Sequence, residues 1–131
     1  KLEDAIVALT QQVDSERSRV LASAVQEVAK RFDLGSIDLK DVIGVSQSTA
    51  SRLLNGSYNI PERSKPWELS AMLVRMYRSL SSMVGGDDEL AKVWLHSPNR
   101  AFGGRKPAEE IKRVEGLVRA CEYLDAYRAR I

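Results

Sequence analysis

The chain has 131 residues, 44% hydrophobic and 29% charged, with a formal net charge of +2. That is enough for one compact domain or two small subdomains sharing a core, and too apolar for a disordered tail. One cysteine excludes an internal disulfide or a multi-cysteine zinc site, and the single histidine, His96, removes most histidine-based metal sites and Ser-His-Asp catalysis.

No apolar run approaches the ~20 residues of a membrane span, and no signal-peptide pattern opens the chain, so a cytoplasmic binding protein is expected. No pair of acids, nucleophile–base set or metal cluster is apparent, so neither catalytic residues nor a cofactor is expected. Residues 1–64 carry a net charge of −1 and residues 65–131 a net charge of +3. Any case for nucleic acid therefore rests on local pattern rather than bulk charge.

Apolar residues recur at three and four, which predicts an all-α protein. Leu2, Ala5, Ile6, Leu9 and Val13 mark one face of a short first helix. Val20, Leu21, Ala24, Val25, Val28 and Phe32 mark a second, with Glu16 or Ser18 near its start and Gly35 beyond its end. Asp38–Ile43 has room for two helical turns. Gly44 breaks them, Ser46 caps a new helix from Gln47 to about Leu54, and Asn55-Gly56 ends it. Ser57–Pro66 reads as a loop.

A long helix follows, with Trp67, Leu69, Leu73, Met76, Tyr77, Leu80 and Val84 on one stripe and Gly85-Gly86 at its close. Asp87, Asp88 and Glu89 favour the start of the next helix, whose apolar face is Leu90, Val93 and Trp94. Ser97-Pro98-Asn99 stops it, and Gly103-Gly104 extends the loop. Pro107 suits the first turn of a last helical stretch carrying Ile111, Val114, Val118, Cys121 and Leu124, which Gly116 is expected to split in two. The boundary between halves is placed at 1–64 and 65–131.

The sharpest local signal runs from Asp38 to Gly56. Gly44 permits close helix approach, Val45 plugs the gap, and Val42, Ala50 and Leu53 face inward, as in a helix-turn-helix. Gln47, Ser48, Ser51 and Arg52 then point outward, short enough to enter a major groove. Gln can pair with adenine, and Arg with guanine or phosphate. Amides near Ser46 and Gln47 can meet a phosphate. The candidate DNA-binding residues are Lys40, Ser46, Gln47, Ser48, Thr49, Ser51 and Arg52. The alternative is a structural helical hairpin with a capping serine.

The run Gly44-Val45-Ser46-Gln47-Ser48-Thr49-Ala50-Ser51-Arg52-Leu53-Leu54-Asn55-Gly56 resembles the Xre/Cro-type helix-turn-helix of phage repressors. That resemblance covers about residues 18–60 and implies binding of operator double-stranded DNA as a homodimer.

A second constellation spans Val93–Pro107. By their chemistry, Trp94 and Phe102 read as core anchors and Asn99 as bonding its own loop. In order and spacing, however, Trp94-Leu95, Pro98-Asn99, Phe102, Gly104, Pro107, Ile111, Gly116, Val118 and Leu124 resemble the C-terminal domain of Xre/MbcA/ParS-type antitoxins. The match covers about residues 65–131.

The resemblance implies an antitoxin of a type II toxin–antitoxin pair. Its C-terminal half would obstruct the NAD pocket of a RES-type or ParT-like toxin that consumes NAD or transfers ADP-ribose. Candidate toxin-binding residues are Trp94, Asn99, Arg100, Phe102, Arg119, Tyr123, Tyr127, Arg128 and Arg130. Arginines suit a pocket built for pyrophosphate, and the two tyrosines suit interface anchors, although solvated arginines and half-buried tyrosines are the ordinary alternatives.

The competing reading is a stand-alone repressor whose C-terminal half only dimerises. His96 is expected to lack a partner, Cys121 to fill the core, and Met72, Met76 and Met83 to face a core or a dimer. Gly103-Gly104-Arg105-Lys106 lacks phosphate-loop spacing.

Overall fold

The computed structural model describes residues 1–129. Among them the chain forms seven helices and no strand: α1 (Leu2–Phe32), α2 (Ser36–Ile43), α3 (Gln47–Leu54), α4 (Lys65–Met83), α5 (Asp88–His96), α6 (Pro107–Glu110) and α7 (Val114–Ala129). A 3-10 turn at Arg100–Phe102 lies between α5 and α6. Arg130 lies outside the described residues.

Helix α4 is the axle. It packs against α1 and α2 on one side and α7 on the other, and α5 and α6 close the far end. Leu73, Met76 and Leu80 of α4 are fully buried, and Phe32, Leu39, Ile43 and Leu53 meet them from the front. Leu95, Phe102, Ile111, Leu117 and Leu124 meet them from the rear, so one continuous core runs through both halves. Polar links cross the middle as well. Lys112 Nζ lies 3.0 Å from Asp38, and Arg31 reaches both the Tyr77 hydroxyl and Asp88. His96 has a partner after all. Its Nε2 sits 2.9 Å from the Phe32 carbonyl, an acceptor left open at the end of α1.

Helix starts follow the capping rules. Ser46 caps α3, Ser64 caps α4 through the Trp67 N–H, and Asp87 Oδ1 accepts from the Glu89 and Leu90 amides. Gly44 ends α2 at φ +72°, a left-handed corner where a side chain would be strained.

Four local expectations need correction. The two expected N-terminal helices are one helix of 31 residues. Neither Gly nor Pro interrupts 2–32, so Glu16 and Ser18, expected near a helix start, lie mid-helix, and Asp14 accepts from Arg63 of the 55–64 loop at 2.7 Å. Gly116 does not split the last stretch. The break comes earlier, at 111–113, and Gly116 lies inside α7 against the Glu110 backbone. The buried face of α7 is Leu117, Ala120, Cys121 and Leu124, leaving Val114 exposed. In α5 the buried residues are Ala91 and Leu95, whereas Leu90 and Val93 face solvent. In both helices the apolar residues outnumber the places facing the core, and packing chose among them.

Candidate functional site

Two separate faces carry the candidate residues. The first is α3. Ala50 and Leu53 are buried, which turns Gln47, Ser48, Ser51 and Arg52 to solvent. Ser46 is committed to its own helix: its Oγ accepts from the Thr49 N–H at 3.1 Å and lies 2.9 Å from Thr49 Oγ1. Thr49, half-buried, accepts from the Arg52 guanidinium at 3.1 Å, and that guanidinium lies 5.6 Å from the centre of the Tyr58 ring. Arg52 is thus held in place before any ligand arrives. Lys40 pairs with its neighbour Asp41 at 2.8 Å. Gln26 braces the back of the helix by donating to the Leu53 carbonyl at 2.8 Å.

The second face is formed by α5, α7 and the loop between α5 and α6. Trp94 stacks on Tyr123 (ring centres 6.3 Å apart, 21° between planes), and Phe102 meets each of them at 6.0 Å. Phe102 is 1% exposed and stands behind this surface, out of reach of a partner. Trp94 is half-buried and Tyr123 more exposed. Asn99 is a structural loop residue. Its side chain accepts from the Ala101 N–H, its N–H donates to the Arg105 carbonyl at 3.1 Å, and its carbonyl accepts from Gly104 at 2.9 Å. Arg100, at the tip of that knot, is exposed.

Further along the same side, buried Glu110 receives Arg105 and, at 3.5 Å, Arg119. The Arg105 hydrogen bond holds its carboxyl below the usual carboxylate range, although burial pulls the other way. Arg119 is therefore anchored at one end, with Val114 and Val118 beside it along a shallow depression. Tyr127 and Arg128 are exposed on the last turns of α7. Arg128 borders a second depression with Arg75, Arg78 and Asp125, and Asp125 is tied to Arg75 and to the Ser79 hydroxyl (2.7 Å). Those hydrogen bonds, from Ser79 first and then Arg75, hold the Asp125 carboxyl low.

The exposed pair Leu90 and Val93, and the arginines Arg75 and Arg78, escaped the sequence reading. The first were assigned to the core. The second lie on α4, where only the apolar stripe had been followed. Among the described residues no cluster of metal-ligating side chains occurs, and no helix is long and apolar enough to cross a membrane.

Two family models match the chain, one along its first half and one along its second. Residues 11–75 match the family model described as the antitoxin Xre-like helix-turn-helix domain. Residues 79–130 match that of the antitoxin Xre/MbcA/ParS C-terminal toxin-binding domain. The two matched regions meet within α4. The chain is 31% identical over 106 residues to the mycobacterial cidal antitoxin MbcA of Mycobacterium tuberculosis and of Mycobacterium bovis. The aligned region covers 77% of this chain and 90% of each relative. A chain in the crystal structure of the M. tuberculosis MbcT–MbcA toxin–antitoxin complex superposes with a TM-score of 0.62 at 27% identity, covering 86% of this chain and 96% of that one.

Proposed function

The chain belongs to the Xre/MbcA/ParS antitoxin family, and on that premise we propose that it neutralises a toxin with its α5–α7 face and binds operator DNA with α3. The division of labour follows the two halves, 1–64 for DNA and 65–131 for the toxin. The role is one of binding, not catalysis. The observation that carries it is that a surface with exposed aromatic and arginine side chains lies inside the region matched to a toxin-binding domain.

The toxin is of the RES or ParT-like kind, one that consumes NAD or transfers ADP-ribose. Tyr123 and Tyr127 supply apolar anchor area at small entropic cost. Arg119 and Arg128 supply planar donors that match the phosphates and carboxylates of a nucleotide pocket. Occupying that pocket excludes NAD.

The test is co-purification with the toxin encoded beside this chain, together with an NAD-consumption assay. Tyr127→Ala combined with Arg128→Glu is expected to weaken the complex at least tenfold and to restore NAD consumption, because both side chains are exposed and neither supports the core. Undiminished binding and inhibition would refute this face. Truncation after Leu117 is a poorer test, since it strips Ala120, Cys121 and Leu124 from the core.

On α3, Gln47 and Arg52 read base edges while the N-terminal amides meet a phosphate, and a homodimer within a larger assembly presents two such helices. Front-half net charge is −1, so a single copy attracts phosphate weakly, and two linked copies are needed for useful affinity. Each of Gln47→Ala and Arg52→Ala is expected to cost about 1–3 kcal/mol of specific binding to the duplex upstream of the gene. Fluorescence anisotropy against that duplex and a scrambled one measures it. Equal affinities for wild type and variants would remove α3 as the reading helix.

A further inference from the structure

Arg52 belongs to the last turn of α3, yet its charge is not held at that end of the helix. Helical side chains lean toward the N-terminus. Here the lean is fixed. The guanidinium donates to Thr49 Oγ1, one turn back, at 3.1 Å, and lies over the Tyr58 ring, 5.6 Å from its centre. Thr49 is held in turn, because the Ser46 hydroxyl lies 2.9 Å from its Oγ1 and accepts from its N–H. The charge therefore stands level with the half of α3 that carries Gln47 and Ser48. In a helix-turn-helix it is the N-terminal residues of the second helix that meet base edges.

Tyr58 reaches the guanidinium from outside the helix, on a tied loop. Gly56 turns the chain at φ +87°. The Ser57 N–H donates to the Arg52 carbonyl at 2.9 Å and to Asn55 Oδ1 at 3.0 Å. The Tyr58 ring is half-buried against the core, and Ile60 beyond it is fully buried. The ring is thus fixed to the backbone of the residue whose side chain it supports. Thr49 and Tyr58 are both neutral, so the arginine is oriented without its charge being cancelled.

We propose that Tyr58 determines sequence specificity by presetting Arg52, together with Thr49, for a bidentate pair with the O6 and N7 of a guanine in the major groove. The inference rests on α3 being the reading helix, and adds which base Arg52 reads and which residue makes it do so. A guanidinium carries five donors in one plane, and Thr49 engages a single nitrogen. A loose arginine has many rotamers, and a phosphate accepts most of them. A guanine edge accepts one narrow approach. Ordering the side chain beforehand removes the entropy loss that would otherwise oppose the narrow choice, and the broad choice gains nothing from it. Tyr58 is in this sense a positioning residue.

The probe is the duplex upstream of the gene, made with 7-deazaguanine, which lacks the N7 acceptor, at one guanine at a time. Fluorescence anisotropy of the full chain is expected to show a loss of about tenfold on replacement of one guanine in each half-site, and Arg52→Ala to abolish that loss. Tyr58→Leu keeps apolar bulk against the core and is expected to shrink the loss to about threefold or less. The loss on 7-deazaadenine replacement, which reports on Gln47, is expected to stay as in the wild type. Tyr58→Phe keeps the ring and should retain the wild-type pattern. Thr49→Val, close in size, should shrink the same guanine loss and decides the matter if Tyr58→Leu does not fold. A ring that only fills space would weaken every duplex alike. A guanine loss left intact in the folded Tyr58→Leu and Thr49→Val variants overturns the positioning role while α3 remains the reading helix. Tyr58→Phe behaving like Tyr58→Leu assigns the effect to the hydroxyl and overturns it as well, and a guanine loss that persists in Arg52→Ala removes Arg52 as the reader. Wild-type chain that binds the upstream duplex no better than a scrambled one overturns the reading helix itself, and this inference with it.

Discussion

Gly116→Ala is expected to destabilise the protein by about 3 kcal/mol, the upper part of the range for overpacking a close contact. A Cβ at this position would overlap the Glu110 carbonyl oxygen and come within 2.6 Å of its carbonyl carbon. Both are backbone atoms, so no side-chain rotation relieves the clash. The 111–113 turn must move, and with it Glu110, which receives Arg105 and Arg119. The consequence therefore reaches function. Arg119 loses its anchor, and the proposed toxin face loses its shape along with stability. Urea denaturation of Gly116→Ala beside Gly35→Ala makes the comparison, because a Cβ on Gly35 meets nothing within 4 Å. Gly35 precedes α2 as its N-cap, so its replacement is expected to cost no more than about 1 kcal/mol. Equal effects at the two positions would refute the close-approach explanation.

Phe102→Ala should cost about 3–5 kcal/mol, the usual range for removing a buried phenylalanine. Its ring is 1% exposed and supports Trp94 and Tyr123 from behind, with ring centres 6.0 Å away in both cases. The loss is expected to appear as a lower denaturation midpoint, and in a Trp67→Phe background as a shifted Trp94 emission maximum, since the indole loses its fixed surroundings. Tyr123→Ala, on the solvent side of the same cluster, is expected to cost less stability and more toxin affinity. The pair of variants separates support from contact. If Phe102→Ala leaves the midpoint unchanged, the cluster is not part of the core.

The most local features were the most legible. Ser46 as a cap, Gly44 as a left-handed stop and the α3 span Gln47–Leu54 each depend on a few adjacent residues, and the structure places them where the sequence puts them. The outward set Gln47, Ser48, Ser51 and Arg52 follows from the same short-range periodicity. Trp94 and Phe102 were read together as core anchors and Tyr123 apart from them as an interface anchor, and the sequence carried no sign that all three share one cluster. Glu16 and Ser18 were read as lying near a helix start because residues of their kind suit first turns and caps. Both lie inside α1, where no Gly or Pro breaks the helix and Ser18 is buried.

By itself, the order of residues determined that this chain is helical, where its glycine and serine punctuation falls, and which short helix turns a polar face outward. Those are matters of neighbouring residues, one to four positions apart. Tertiary structure alone decided which of several apolar positions on α5 and α7 went inside, that His96 would serve the end of α1, and that the first turns of α1 would stand free. A helix with more apolar residues than its buried stripe can hold leaves that choice to whichever partner surface arrives, and partners distant in the chain leave no local trace.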